Sequence, residues 1–590
     1  MIVEMKKIYL LAAIIHQESV LRELRKLGVV HIDHVKAPVA EDITTLEATL
    51  DSATKALSYL NRQKSAEKQT DLKKAPEYIQ EILALVHKKE NLGRELDELQ
   101  DQQRWFERWG KISLASLETL KKAGIYVRFY IADKNAFDSL PGELVTQIVR
   151  LDRKTVYFVF FGDSVDPELE FKQDIMPEVE YRELESRIEE VKAAITKIDN
   201  TIAGMAECWD MIEAYREDVT KRLEFSRVKH GMGEGEHIAH LQGYCPIDEI
   251  EKFVKTSQQE GWGYVIQDPS TAEEVPTLLK KSQVGRITDP IFSFMGTLPG
   301  YNEYDISILF LVFFSIFFAM LIGDAGYGLF FTLIGLYAYK KMKNPPKEPF
   351  QLLFLLSGMT ILWGAISGVW FGYEPFSRWP VFNLLVIERV NGYIQENQEF
   401  TMYLTFIVGV VHLTIAHAVV GLKSIKSPRA LAQVGWILVM WSLFFVAGTL
   451  VLDRPAPGIT AILLAVGAGL ILLFANFQKN LIRGILITLG DLPLSIISSF
   501  SDVVSYLRLF AVGYASVTVA ASFNNMALGS GVDSIISGFL AAVVLVLGHT
   551  LNIVLGLMAV VVHGIRLNML EFSSHLDMQW SGKEYKPFKE

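Results

Sequence analysis

The chain has 590 residues and a net charge of −10, from 57 basic and 67 acidic side chains, so a basic surface for nucleic acid is not indicated and none is expected as a partner. Its two cysteines, Cys208 and Cys245, imply no disulfide framework and lack metal-ligand spacing, so neither a metal nor a cofactor is expected. Charged residues make up 21% of the chain although the mean hydropathy is positive, which requires polar and apolar residues to be segregated along it. Lys, Glu, Asp and Arg dominate up to about Pro290, and long apolar runs begin near Asp305. Two domains follow: a water-soluble one over 1–290 and a membrane domain over 300–590.

The opening Met1–Ile15 imitates a secretory signal because a short apolar run follows Lys6 and Lys7. No small-x-small cleavage site follows it, and Gln17–Leu27 continues as an amphipathic helix, so the segment is read as a buried strand followed by a helix. Ile43, Leu46, Leu50, Ala53, Leu57 and Leu60 then alternate steps of three and four, the seam of a heptad repeat. After a polar break near Pro76 the seam resumes with Ile82, Leu85, Leu92, Leu96, Leu99 and Phe106, interrupted by Lys89 and Gln103. A later stretch, Leu184, Ile188, Val191, Ile195, Ile198, Ile202, Met205, Trp209 and Ile212, keeps the same spacing and includes Cys208 in its repeat. Two separated stretches pair most simply as antiparallel coiled-coil arms, the later spanning roughly 45 to 60 Å. A compact helical bundle is the alternative, and the length of the runs favours arms.

Tyr126–Ile131 and Thr155–Phe161 are short, aromatic and β-branched, and with Ile8–Ile15, Val29–Ile32 and Gly263–Ile266 they are read as strands of a small α/β lobe. Cys245 falls in a Gly-Tyr-Cys-Pro sequence read as a turn. This half contains no Walker-type phosphate loop, no Gly-rich dinucleotide turn and no His/Cys metal cluster. The chain is therefore read as non-catalytic, with any ATP hydrolysis on another chain.

Hydropathy places eight spans, near 305–322, 325–339, 350–372, 400–422, 431–451, 458–477, 494–529 and 532–568. Lys340, Lys341, Lys343 and Lys347, then Lys423, Lys426 and Arg429, then Lys479 and Arg483 fall on one side, against Arg378, Arg389 and Arg454 on the other. The positive-inside rule puts the first group, the N-terminal domain and the C-terminus in the cytoplasm, and the chain in the cell membrane. Between spans one and two the break is tight: Gly323 and Gly326 permit a sharp structural turn, and Asp324 is either a buried structural acceptor or an aqueous-facing turn residue. The last two segments exceed the ~20 residues that cross a ~30 Å core, so as helices they tilt strongly or extend beyond it.

Arg508 lies in segment seven with apolar neighbours on both sides, where an arginine costs ~2.5 kcal/mol or more and so faces water or a partner. Segment eight carries His549, Asn552, Gly556, Ala559, His563 and Arg566 at steps of three and four. That stripe is either the seam of a helical bundle or the wall of an aqueous path, and two guanidiniums on adjacent helices favour the path. Arg566 alone also suits snorkelling to headgroups. A guanidinium stays charged at any working pH. Beside an ion-carrying carboxyl it favours the ionised form, expels the bound cation and blocks leakage between two half-channels. No carboxylate in these two segments is well placed as that carrier, so a partner should supply it.

Tyr506-Leu-Arg-Leu, followed by His563-Gly-Ile-Arg-Leu-Asn-Met-Leu-Glu-Phe, resembles the C-terminal signature of the membrane a subunit, or subunit I, of V-type and A-type ATPases. Gly323-Asp-Ala-Gly-Tyr-Gly and Leu241-Gln-Gly-Tyr-Cys-Pro look like further landmarks of that family, and the likeness covers essentially the whole chain. It implies a mainly α protein: cytoplasmic α/β lobes joined by long coiled-coil arms, then eight membrane helices with the last two long and tilted. It implies that Arg508 faces the carboxylates of a proteolipid c ring, with Arg566 as companion, and that the soluble domain anchors peripheral stalks beside the central stalk. Proton or sodium flow would then turn the ring. Where eukaryotic members place acidic or histidine residues along the channels, this chain has Leu494, Ser516 and Gly556. Ser505, Ser516, His549, Asn552, His563 and Glu571 are the further channel-lining candidates, and the compact length suggests a bacterial or archaeal member.

Overall fold

The computed structural model describes residues 1–60, 71–141, 144–163, 171–270, 273–477, 481–529, 531 and 534–590. They divide into two compact units. The chain is mainly helical, with α/β structure in its N-terminal half.

One unit holds residues 12–23 and 34–241. Its helices pair antiparallel, as ion pairs report by rising residue numbers on one helix against falling numbers on the other. Glu41–Tyr59 meets Trp209–Gly231 through Glu47–Arg227 and Asp42–His230. Ala75–Trp109 meets Tyr181–Gly204 through Lys89–Asp199 and Glu95–Arg187. Such exposed pairs contribute about 0–1 kcal/mol each, so the buried stripe Leu184, Ile188, Val191, Ile198 and Ile202 is what holds the later helix. The seam expected to run unbroken to Ile212 is interrupted by a 3-10 turn at Met205–Cys208. Cys208 lies in this 3-10 helix and is buried with Ile198, Ile202 and Ile212 of the repeat.

In the same unit, strands Val145–Leu151, Thr155–Gly162, Tyr126–Asp133 and Lys172–Gln173 form a four-stranded antiparallel sheet in that order. Phe129 packs edge-on against Trp105 and Trp109, and Trp109 donates its indole N–H to Asp174 at 2.9 Å. Met5–Ala13, His31–Asp33 and Gly263–Gln267 belong to a separate sheet, ordered His31–Asp33, Ile238–Pro246, Met5–Ala13, Gly263–Gln267. The strands expected in one lobe thus form two. Period-two alternation identifies a strand but not its partner, which non-local packing selects. Cys245, expected in a turn, is buried within the strand Ile238–Pro246.

The other unit contains residues 1–11, 24–33 and 242–589. Its last residues return to its first: Lys583–Glu584 pairs parallel with Pro276–Thr277, and Phe588 donates its amide to the Val30 carbonyl at 2.8 Å. Among the described residues, five of its helices are long and apolar enough to cross a membrane, or six if a bent pair counts as one span, which fits a multi-pass membrane protein. The bent pair is Ser307–Ile322 and Ala325–Lys341, turned by 117° at Gly323–Asp324. Thr460–Phe474 is apolar but has 15 residues, about 22 Å of helix.

Segment seven starts earlier than hydropathy suggests. A 47-residue helical stretch runs over Ile482–Leu528, roughly 70 Å at helical rise, with Pro493 inside it and a break at Tyr506. Arg483, expected in a connecting loop, is inside this helix; Lys479 lies outside the described residues. Polar Arg483 and Asp491 dilute the apolar signal without breaking the helix.

Candidate functional site

The site starts at the bend. Gly323 ends the first helix at φ 71°, a left-handed conformation that glycine adopts without penalty. Asp324, 1% exposed, then gathers four backbone N–H groups. Its Oδ1 accepts from Gly326 at 2.7 Å, Tyr327 at 3.4 Å and Phe371 at 2.8 Å, and its Oδ2 from Gly372 at 2.7 Å. The carboxylate therefore caps the second helix of the bend and ties it to the turn after Lys347–Ser367. Of the two roles open to Asp324, this is the acceptor's geometry. Gly513 brings the helix Leu507–Leu528 against the bend: a Cβ there would lie 2.2 Å from the Met320 carbonyl oxygen.

Ser516, His549 and Asn552 form a hydrogen-bonded seam behind it. Asn552 donates to Tyr327 Oη at 3.0 Å and to the Ser516 carbonyl at 2.9 Å. Tyr327 Oη meets His549 Nδ1 at 2.8 Å, and His549 Nε2 meets Asn524 Oδ1 at 3.2 Å. Gly556 packs on Ile322. The upper half of the expected stripe is thus a packing seam in which polar groups satisfy one another, while its lower end, Arg566, stays exposed.

The arginines converge on one carboxylate. Tyr506, fully buried between the helices Leu481–Ser505 and Leu507–Leu528, meets His412 Nδ1 through its hydroxyl at 2.8 Å. Two residues on, Arg508 donates from Nε to the Ser505 carbonyl at 3.0 Å and from Nη2 to Glu571 Oε1. Arg566 Nε lies 3.5 Å from that same oxygen. The side chains of Arg508, Arg566 and Glu571 are 23%, 53% and 4% exposed, so both cations reach the surface while the anion is buried. Two guanidiniums against one carboxylate leave one positive charge uncompensated. Glu571 Oε2 and His563 Nδ1 have no hydrogen-bond partner among the described residues.

Backbone geometry creates this convergence. Val560–Gly564 and Leu567–Phe572 are π-helical, the second starting directly after Arg566. In a π-turn residues five apart stack on one face, which brings Glu571 beneath Arg566. The α-helical spacing read from the sequence separates them, so it does not foretell that Glu571 meets Arg566. His412, Tyr327 and Asn524 were missed, because each acquires its partner from another helix, through packing.

These features define a multi-pass helical membrane protein with a pair of arginines on one buried carboxylate, net positive by one charge. The chain belongs to the V-type/A-type ATP synthase subunit I family. It is 30% identical to V-type ATP synthase subunit I of Borreliella burgdorferi, over 100% of this chain and 99% of that protein. It is 29% identical to V-type ATP synthase subunit I 1 of Treponema pallidum over 100% of both chains. A-type ATP synthase subunit I of Methanocaldococcus jannaschii is 26% identical over 69% of this chain and 61% of that protein. No protein-family model matches the chain.

Proposed function

We propose that the chain is the ion-translocating stator subunit of a rotary V/A-type ATPase, with Arg508 as its electrostatic gate against a carboxylate of a proteolipid c ring. The observation that carries this reading is the Arg508–Glu571–Arg566 cluster, partly exposed and net positive by one charge. A fixed positive charge held at a surface by a buried carboxylate favours the ionised form of any carboxyl that passes it. It would release a carried proton or sodium ion on one side and prevent direct passage to the other. Glu571 and the Ser505 carbonyl fix the fork of Arg508, so the charge is preorganised rather than mobile.

In the same reading residues 1–290 form the cytoplasmic domain that anchors peripheral stalks and lies beside the central stalk. Residues 300–590 cross the cell membrane eight times, with the C-terminus cytoplasmic. ATP is hydrolysed or made on other subunits. Arg566, more exposed and more distant from Glu571, supports the gate. Asp324, Gly323 and Gly326 build the turn against which the last two helices pack, and Ser516, His549 and Asn552 line the seam between those helices rather than the gate.

The test uses the assembled complex in proteoliposomes. Arg508→Ala should abolish ATP-driven ion transport with assembly intact. Arg508→Lys should fail or nearly fail, because lysine cannot supply the fork and can lose its charge in a low-dielectric site. Arg566→Ala should be milder. Full coupled pumping by Arg508→Ala would refute the gate.

A further inference from the structure

A second set of titratable side chains lies beside the gate and has no part in it. His575, four residues beyond Glu571, is met from two helices. Its Nε2 is 3.1 Å from Asp502 Oδ2 in the helix Leu481–Ser505. Its Nδ1 is 3.1 Å from His417 Nε2 in the helix Gln398–Lys423. His417 Nδ1 is in turn 2.8 Å from Gln433 Oε1 in the helix Arg429–Leu452, and Trp436 stacks on its ring at 5.9 Å. Four side chains from four segments thus form one continuous hydrogen-bonded line. The side chains of Asp502 and His575 are 22% and 10% exposed, His417 is 4% exposed, and Gln433 is half-buried. Asp502 is six residues before Arg508. The other titratable groups nearby have their own partners: Glu571 holds the arginines, and His412 meets Tyr506 between the rings of Phe313 and Phe572.

With the Gln433 amide in one or the other of its two orientations, this line admits two proton arrangements, because each neutral imidazole has one donor and one acceptor nitrogen. In the first, the Gln433 amide donates to His417 Nδ1, His417 Nε2–H donates to His575 Nδ1, and His575 Nε2–H donates to an ionised Asp502. In the second, Gln433 Oε1 accepts from His417 Nδ1–H, His575 Nδ1–H donates to His417 Nε2, and an additional proton sits between His575 Nε2 and Asp502. The two differ by one proton and by rotation of the Gln433 amide. A proton entering at His417 Nδ1 therefore emerges at Asp502: the Nε2 proton of His417 moves to His575 Nδ1, and that of His575 moves to the carboxylate. Release of that proton from Asp502 to the Arg508 face, tautomerisation of both imidazoles from Nδ1–H back to Nε2–H, and rotation of the Gln433 amide restore the first arrangement. A hard cation such as sodium finds no oxygen cage along this line, and chains of Asp and His inside membranes are where proton relays occur.

The geometry points to a proton relay, His417–His575–Asp502 with Gln433 as its switchable end, that passes protons between the Lys423/Arg429 end of the membrane helices and the Arg508 face. This inference rests on the stator reading and names the proton as the ion on that path.

The two ideas fail separately in one experiment on the assembled complex in proteoliposomes. ATP-driven acidification and ATP hydrolysis are measured for Asp502→Asn, Asp502→Glu and His575→Gln, with Arg508→Ala alongside. Asparagine keeps an acceptor for His575 but cannot carry the proton, whereas glutamate can. A relay predicts that Asp502→Asn and His575→Gln lose acidification by about tenfold or more while Asp502→Glu retains most of it, a loss of the size typical for removed proton-transfer groups. Wild-type pumping by Asp502→Asn, equal loss in the Asn and Glu variants, or transport of sodium in place of protons would overturn the relay. Full pumping by Arg508→Ala would instead remove the stator reading beneath it.

Discussion

Glu571→Gln separates the charge of the buried carboxylate from its shape. The amide still offers Arg508 an acceptor, so the change is from a charge-assisted to a neutral hydrogen bond. Net contributions are about 1.5–3 kcal/mol for the former and about 0.5–1.5 kcal/mol for the latter, a loss of about 1–2 kcal/mol. Little is discounted for screening at Arg508, 23% exposed, and Arg566 at 53% adds less than about 1 kcal/mol. Because ~1.4 kcal/mol is tenfold in an equilibrium, the native orientation of Arg508 should become about 5- to 30-fold less favoured. The cluster also rises from one uncompensated positive charge to two. Coupled pumping by Glu571→Gln should fall about tenfold, with a lower melting temperature of the detergent-solubilised complex; Glu571→Asp, which keeps the charge on a shorter stem, should lie between. Wild-type pumping together with wild-type melting in the Gln variant would refute the claim that Glu571 positions the gate.

Two further expectations concern the scaffold. Asp324→Asn turns one of the two acceptor oxygens into a donor, which leaves at least one buried N–H among Gly326, Tyr327, Phe371 and Gly372 without an acceptor and removes charge assistance from the rest. It should destabilise the membrane unit by about 2–4 kcal/mol, seen as reduced assembled complex and earlier thermal unfolding; unchanged yield and melting would count against the cap. In the N-terminal half, burial pushes the Cys245 thiol up to about 12 and also raises Cys208. Both should resist maleimide at pH 7–8 in the folded protein and react once it is unfolded. Rapid labelling of the native chain would contradict their burial.

Local patterns were legible where they decide their own outcome. The helix Gln17–Leu27, the strand through Ile8 and Leu10, and the sharp break at Gly323–Asp324 all follow from residue type and period. The split of the strands into two sheets was not, since partners are chosen by packing between distant segments. Nor was the true start of the 47-residue helix, since Arg483 and Asp491 lower the hydropathy of a window without breaking the helix, which also accommodates Pro493.

The sequence alone determined that one half of this chain is apolar enough for lipid, that its final helices carry Arg508 and Arg566, and that its motifs are those of subunit I. These depend on composition and short-range order, which need no partner. Only the tertiary structure decided what the arginines meet. A π-turn brings Glu571 under Arg566, a helix break at Tyr506 aims Arg508 at the same carboxylate, and three helices and the His575 turn align Gln433, His417, His575 and Asp502. Charge pairing inside a membrane protein is a property of which helices touch, and at which register, and no single segment carries that information.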